Sequence, residues 1–195
     1  MKNLLLLLFV VFAGWKLFTP TSVELGPGIK VTQAPLQTTL SGEHAFAYDD
    51  YQITRLASID MKAKVLSKTS YSLGRESDLS PVDLALGWQS MSDESVLEQI
   101  DISQSNRWYY WRVKQFPIPR RDIETQSANM HMVPANDLVE DMLGLVKQGQ
   151  IIEITGALIR VDGSNNWHWQ SSLSREDTGN HACEIVYVES FTIIE

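Results

Sequence analysis

Residues 150–161 read Gln-Ile-Ile-Glu-Ile-Thr-Gly-Ala-Leu-Ile-Arg-Val. Its β-branched residues favour extended backbone, and a glycine inside such a run is typical of a curved strand. Asp162-Gly163 follows as a strong turn signal, and residues 167–170 read as the returning strand. The stretch therefore predicts a curved strand that continues into a hairpin.

Four further stretches on either side have the composition of strands. Residues 51–56 and 59–66 alternate apolar and polar side chains, which is the period of a strand with one face in water. Residues 107–113 and 184–193 are rich in aromatic or β-branched side chains. Together with the hairpin, these stretches give about six strands.

One long helix and two short helical turns are expected between the strands. Asn136 is a good N-cap, an apolar stripe follows it, and Lys147 and Gly149 mark the end of the helix. Short helical turns are expected to begin at Ser80 and at Ser92. The stripe consists of Leu138, Met142, Leu145 and Val146. The sequence thus predicts an α+β fold, mainly an antiparallel curved sheet or small β-barrel with one packed helix, after an N-terminal hydrophobic anchor.

These segments carry two resemblances. A Gly-Gln pair before a strand with a glycine at its middle, in residues 149–159, resembles the strand pattern of small OB-type barrels and implies a barrel of that type. Residues 78–88, 127–136 and 171–179 together resemble a group of uncharacterised exported or membrane-anchored bacterial proteins. That second resemblance spans roughly residues 48–190 and implies kinship without an activity.

The N-terminus predicts export. Lys2 precedes an unbroken apolar run, and residues 4–18 contain Lys16 as their one charge. Such a segment is short for a helix that spans a bilayer, which favours a signal peptide, whereas Trp15 and Lys16 are typical of the interfacial edge of an uncleaved anchor. We expect either a single-pass protein of the bacterial inner membrane with a periplasmic domain, or, if the segment is cleaved, a protein secreted to the periplasm.

The rest of the chain predicts a linker and one domain. After the signal peptide or signal anchor of residues 1–20, residues 21–46 contain several prolines and glycines with little periodicity, so we expect an extended linker. Residues 47–195 suffice for a single soluble α+β domain with a full core.

Composition argues against nucleic acid and metal as partners. The chain has 16 basic and 24 acidic residues, and because Lys2 and Lys16 lie in the first 20 positions, the remainder has a net charge of −10 with histidine neutral. A surface of that charge repels nucleic acid. The four histidines are dispersed and lack the spacing of metal ligands, so neither a metal nor another cofactor is expected.

Residues 107–121 are the one basic and aromatic stretch of this acidic chain. They include five positive charges, five aromatic rings and no acid. Aromatic rings stack on flat ligands and arginine pairs with phosphate or carboxylate, so the stretch predicts binding of a glycan or a polyanion. The alternative is an ordinary strand with Tyr109, Trp111 and Val113 pointing inward. The candidate binding residues are Arg107, Trp108, Tyr110, Arg112, Lys114, Arg120, Arg121 and, from a polar loop further along the chain, Arg175.

Cys183, the single cysteine, is the candidate nucleophile. A thiol becomes reactive when an imidazole lies beside it, and His131 and His181 are the two histidines considered for that role. The alternative is a structural cysteine that enters a sheet, which is the commoner situation for a free thiol.

These observations favour a membrane-tethered extracytoplasmic binding or assembly protein that contacts the membrane through residues 4–18. Its expected partner is a glycan, a polyanion or a protein of an envelope complex. The alternative function is a periplasmic thiol-dependent enzyme that acts on an envelope substrate through Cys183, with His131 or His181.

Overall fold

The computed structural model describes residues 22–42, 45–174 and 183–195. The predicted N-terminal anchor lies outside these residues, as do the candidate residues Arg175 and His181. No helix within the described ranges is long and apolar enough to cross a membrane. In chain order the elements are β1 (Leu36–Thr39), β2 (Ala45–Tyr48), β3 (Tyr51–Ser70), α1 (Arg75–Leu79), β4 (Val82–Gly87), α2 (Glu94–Leu97), β5 (Ile100–Ser105), β6 (Trp108–Val113), α3 (Arg120–Thr125), β7 (Ser127–Pro134), α4 (Asp137–Leu145), β8 (Ile151–Asp162), β9 (His168–Gln170) and β10 (Glu184–Ile193).

The longest of these elements is β3, which pairs with four other strands, β1, β2, β4 and β8. The strands predicted at 51–56 and 59–66 are one continuous strand, because the residues between them supply no turn chemistry. Register shifts at Arg55/Ala57 and at Val65/Ser67 bend the strand instead of ending it. The bent strand pairs with β8 along its N-terminal part and with β4 along its C-terminal part.

Five strands pair in a closed ring. The pairs β3–β4, β4–β7, β10–β8 and β8–β3 are antiparallel, and the pair β7–β10 is parallel. Strands β1 and β2 pair with β3, β9 pairs with β8, and β5 and β6 form a separate hairpin. The predicted α+β fold with few helices is therefore confirmed, and its sheet is mixed because β7 and β10 run in the same direction.

Side chains along the ring strands point alternately to the inside and to the outside of the ring. Leu84, Met130 and Val186 belong to the main apolar core inside the ring. The intervening residues face outward, where two smaller apolar clusters lie. One of these clusters, around Ala85 and Ile100, is covered by the β5–β6 hairpin. The hairpin therefore packs on the outer face of the ring.

The helical turn predicted to begin at Ser80 is wrong. Val82–Gly87 is β4, and all six of its residues are buried. A short apolar run that is buried on both faces has no periodicity that distinguishes a strand from a helix. Residues 82–87 form a strand because they pair with β3 and β7. The helix in this region, α1, ends at Leu79.

The helix predicted after Asn136 is α4, which packs against β7 and β10. Asn136 caps it as expected, because its Oδ1 accepts a hydrogen bond from the backbone N–H of Val139 at 3.1 Å. The predicted stripe is partly wrong, since Leu138 and Leu145 are exposed while Val139 and Leu143 are buried. Both sets have helical spacing, and only the docking position of the helix selects one of them.

Replacing Asn136 by alanine should lower the free energy of unfolding by about 1 kcal/mol, because the first turn of α4 loses its side-chain cap. Urea denaturation followed by tryptophan fluorescence measures this loss. Leu138→Ala is the matched control on the same helix, since Leu138 is 72% exposed and its truncation should change stability by less than about 0.5 kcal/mol. Equal effects of the two substitutions would show that the cap contributes nothing specific.

The described part of the predicted linker contacts the domain. The backbone N–H of Val23 donates to the carbonyl of Gln148 at 2.8 Å, and that of Leu25 donates to Glu94 Oε1 at 2.7 Å. Val31 is buried in the main core, and β1 pairs with β3. These contacts fix the described part of the segment along the ring.

Candidate functional site

The β5–β6 hairpin places Arg107 at an unusual backbone position. Asn106 and Arg107 both have positive φ, 52° and 69°, which is the requirement of a two-residue type I′ turn. A positive φ is uncommon for a residue other than glycine. Two contacts fix Arg107 there: its N–H donates to Tyr71 Oη at 3.0 Å, and its carbonyl accepts from Asn129 Nδ2 at 3.0 Å.

The side chain of Arg107 turns into the protein. Its Nη1 donates to Asp83 Oδ1 at 2.6 Å and to the carbonyl of Ser80 at 2.9 Å, and its Nη2 donates to Ser77 Oγ at 3.1 Å. The guanidinium lies 3.9 Å from the centroid of the Tyr71 ring. Burial raises the pKa of Tyr71, so this phenol stays neutral beside the cation. Arg107 therefore fastens the hairpin tip to the outer face of the ring.

Asp83 lies under Arg107 and beside His131. The two residues face each other in the register of β4 and β7, and both side chains are almost fully buried. His131 Nδ1 is 2.9 Å from Asp83 Oδ1 without the alignment of a good hydrogen bond. Asp83 Oδ2 has no hydrogen-bond partner in the described part of the chain. The imidazole is packed on Trp169, with 4.8 Å between ring centroids.

Cys183 completes this group of side chains. It is half-buried, and its Sγ lies 4.0 Å from the carbonyl oxygen of Arg107, the same oxygen that Asn129 contacts. We call Asp83, Arg107, Asn129, His131 and Cys183 the buried polar cluster. Its members come from β4, the hairpin tip, β7 and the residue before β10, so it exists only when the ring and the hairpin are both in place.

Three of the other residues predicted for binding lie on the opposite side of the hairpin. Tyr110, Arg112 and Lys114 are exposed, and we call these three residues the hairpin surface. The residues between them, Tyr109, Trp111 and Val113, pack against the apolar cluster below, as the strand alternative predicts. Trp108 is half-buried.

Helix α3 carries two arginines and contacts the hairpin through its inner row, where Arg120 lies over Trp111. Arg120 and Arg121 are exposed, and Arg120 Nε donates to Glu124 Oε1 at 2.8 Å. The same guanidinium lies 5.8 Å from the centroid of the Trp111 ring. The basic stretch therefore divides into one internal cation, Arg107, and four that are open to solvent.

Burial fixes the protonation of the tyrosine under the hairpin. It raises the pKa of Tyr109 to about 12, while the contact with Ser127 Oγ at 3.2 Å opposes the rise. Tyr109 is therefore neutral at physiological pH and serves to attach the hairpin.

Sequence reasoning missed Asp83 and Asn129. The signal for Asp83 is a single acid inside the apolar run of residues 82–86, since an unpaired charge is costly to bury and so requires a partner. The signal for Asn129 is weaker, because an asparagine in a strand is unremarkable until its neighbours are known. In the described ranges, no group of three or more His, Cys, Asp or Glu side chains is placed to hold a metal ion.

Comparison with known proteins adds no assignment to this geometry. No family model matches the chain, and neither curated proteins nor solved structures give a match. The site is therefore interpreted from its own contacts, burial and charge.

Proposed function

We propose that this chain is a membrane-tethered extracytoplasmic binding protein, that its domain is an OB-type barrel, and that it binds a glycan of the cell envelope. The closed ring supports the barrel type, because OB-type barrels are built from five strands. The place of α4 in the chain also supports it, since this helix connects the third and fourth ring strands, β7 and β8, and packs on β7 and β10.

The hairpin is the feature that locates the proposed binding surface. It is inserted between β4 and β7, the second and third strands of the ring, and it packs on their outer side. In OB-type barrels the face of those two strands binds oligosaccharides or oligonucleotides. Since the hairpin covers that face here, we place the ligand on the outward side of the hairpin.

The observation that carries the proposal is the alternation along β6. Tyr110, 48% exposed, stands between a fixed hairpin tip and a fixed inner row of side chains. An exposed aromatic ring on a strand whose backbone is fixed presents a large contact area, and with two side-chain torsions it loses little conformational entropy on binding. This is the arrangement that sugar rings require of a binding platform.

The charges of the same face favour a glycan over a polyanion. Arg112 is opposite the exposed Asp101 in the register of the hairpin, and Tyr110 is opposite Ser103. Donors and acceptors therefore alternate beside the exposed ring, which suits sugar hydroxyl groups. A polyanion would require positive charges without an acid between them.

Replacing Tyr110 by alanine should weaken binding of a neutral, soluble β-1,4-linked N-acetylglucosamine oligomer about tenfold, because the stacking platform is removed. Tyr110→Phe should retain most of the affinity, since it keeps the ring. Isothermal titration of the detergent-solubilised full-length protein measures both affinities.

Leu138→Ala is the control for this experiment, because it removes exposed apolar surface from α4 and leaves the hairpin unchanged. The proposal is overturned if Tyr110→Ala binds the oligomer as tightly as the parent protein. It is also overturned if the parent protein binds dextran sulfate and ignores the neutral oligomer, since that result identifies a polyanion site.

A further inference from the structure

The first described residues of the chain lie against the domain. Ser22 forms an isolated β-bridge with Gln148, and the backbone N–H of Val23 donates to the carbonyl of Gln148 at 2.8 Å. Gly149 packs so closely on Val23 that an added Cβ would overlap the carbonyl oxygen of Val23. The segment is therefore fixed from Ser22 onward.

A buried ion pair holds the next residues of this segment. The backbone N–H of Leu25 donates to Glu94 Oε1 at 2.7 Å, and the same oxygen accepts from Lys64 Nζ at 2.8 Å. The Lys64 side chain is 3% exposed, and its Nζ also donates to the carbonyl of Gly149 at 3.0 Å. An ion pair in so buried a position is costly to break, so the pair fastens the segment to the ring.

Little chain separates this fixed segment from the apolar run. The run of residues 4–18 ends at Phe18, and four residues of fully extended chain reach at most about 14 Å. The polar headgroup region is roughly 5–7 Å thick on each side of the hydrocarbon core. If the apolar run enters the membrane, as proposed above, Ser22 is therefore held within or just outside the headgroups.

Ser22 lies at one end of the ring. Its partner Gln148 precedes β8, which spans Ile151–Asp162. At roughly 3.3 Å per residue, the two ends of β8 are up to about 36 Å apart. Asp50, in the turn before β3, lies at the far end, because Gln52 is opposite the last residue of β8. A tether at Ser22 therefore brings one end of the ring to the membrane and keeps the other end away from it.

Exposed side chains at the near end suit a lipid surface. Leu145 is 65% exposed three residues before Gln148, and Ile194 is 44% exposed and donates its N–H to the carbonyl of Ile151 at 2.8 Å. Lys147 is exposed as well. Apolar side chains beside a lysine are typical of residues at a bilayer interface, where the ammonium group reaches the headgroups. We call Leu145, Lys147, Gln148 and Ile194 the tether end.

We infer that the tether end of the ring lies on the lipid headgroups of the membrane that holds the apolar run. The inference rests on the proposed membrane tether, and it adds the orientation of the domain and the surface that meets the lipid. The exposed acids Glu24 and Glu195 lie at the same end, so the contact does not require anionic lipid. The fixed segment imposes the contact, and removing that constraint should release it.

Fluorescence quenching by lipid measures this contact. Full-length protein carrying Cys183→Ser receives one new cysteine, Lys147→Cys or Asp50→Cys, is labelled with bimane, and is reconstituted in phosphatidylcholine vesicles that contain a lipid with a nitroxide headgroup. Both positions are exposed, and both variants share the same background. The label at position 147 should be quenched at least about threefold more strongly than the label at position 50, because the two ends of β8 are far apart. Equal quenching overturns the inference.

A flexible insertion tests the cause of the contact. About ten glycine and serine residues placed between Thr21 and Ser22 lengthen the tether by an r.m.s. distance of roughly 17 Å, so quenching at position 147 should fall by about half. Undiminished quenching would show that the fixed segment does not impose the contact, and the inference would be overturned.

Extraction with sodium carbonate separates this inference from the proposed function. Release of the parent protein from the vesicles overturns the tether and the orientation together. Retention of the protein with equal quenching at the two positions overturns the orientation and leaves the tether in place. Neither result depends on glycan binding by the hairpin surface.

Discussion

Replacing Asp83 by alanine should lower the free energy of unfolding by about 3–5 kcal/mol, because the substitution leaves the guanidinium of Arg107 without its anion in a largely buried position. Arg107 Nη1 is 2.6 Å from the carboxylate, and the Asp83 side chain is fully buried. The loss is expected to release the hairpin tip first, since Arg107 has no other anionic partner among the described residues. Urea denaturation followed by the fluorescence of the six tryptophans measures the change.

Glu153→Ala is the matched control for Asp83→Ala. Glu153 forms a cross-strand ion pair with Lys62 at 3.5 Å, but both side chains are about half exposed, so its removal should change stability by less than about 1 kcal/mol. The double variant Asp83→Ala/Arg107→Met should be more stable than Asp83→Ala alone, because it also removes the positive charge that Asp83→Ala leaves without a partner. Additive losses in the double variant would refute the assigned role of the pair.

The same pair shows why the centre of the site could not be predicted from sequence. Arg107 was expected to bind a ligand because it begins a basic and aromatic stretch. Its direction depends on a turn in which both central residues have positive φ, and Asn106-Arg107 lacks the glycine that usually signals such a turn. The partner Asp83 lies in a run that reads equally well as a short helix.

Local signals predicted local structure well. The strand expected at residues 184–193 is β10, Glu184–Ile193, and Asn136 caps α4. These features depend on a few neighbouring residues, so their chemistry is visible in the sequence. The inward and outward sides of β6 also follow from simple alternation.

The pairing between strands that are distant in the chain could not be predicted from the sequence. The closed ring requires β3 to pair with β8 about a hundred residues later, and the parallel contact of β7 with β10 places His131 opposite Ile185. Neither the parallel direction nor the register is encoded by a short pattern. The sequence could therefore suggest His131 as a partner for Cys183, whereas the buried ion pair of Asp83 with Arg107 required the structure.

Replacing Gly156 by alanine should lower the free energy of unfolding by about 3 kcal/mol, because the added methyl group meets backbone rather than a movable side chain. A Cβ at position 156 would overlap the carbonyl oxygen of Tyr187 on β10. Gly156 pairs with Ile59 on one side and with Val188 on the other, next to the register shift in β10, so neither neighbour can withdraw without opening the ring. Urea denaturation measures the loss, and hydrogen exchange should show it first along β8 and β10.

Gly144→Ala is the matched control, because the same substitution at this position should raise the free energy of unfolding. Gly144 lies in α4, where an added Cβ meets nothing within 4 Å, so alanine should stabilise the protein by up to about 1 kcal/mol through its higher helix propensity. The contrast in sign separates close backbone approach from any general effect of losing a glycine. If Gly156→Ala were neutral, β8 and β10 would not approach as closely as the structure shows, and the closure of the ring at this pair would be refuted.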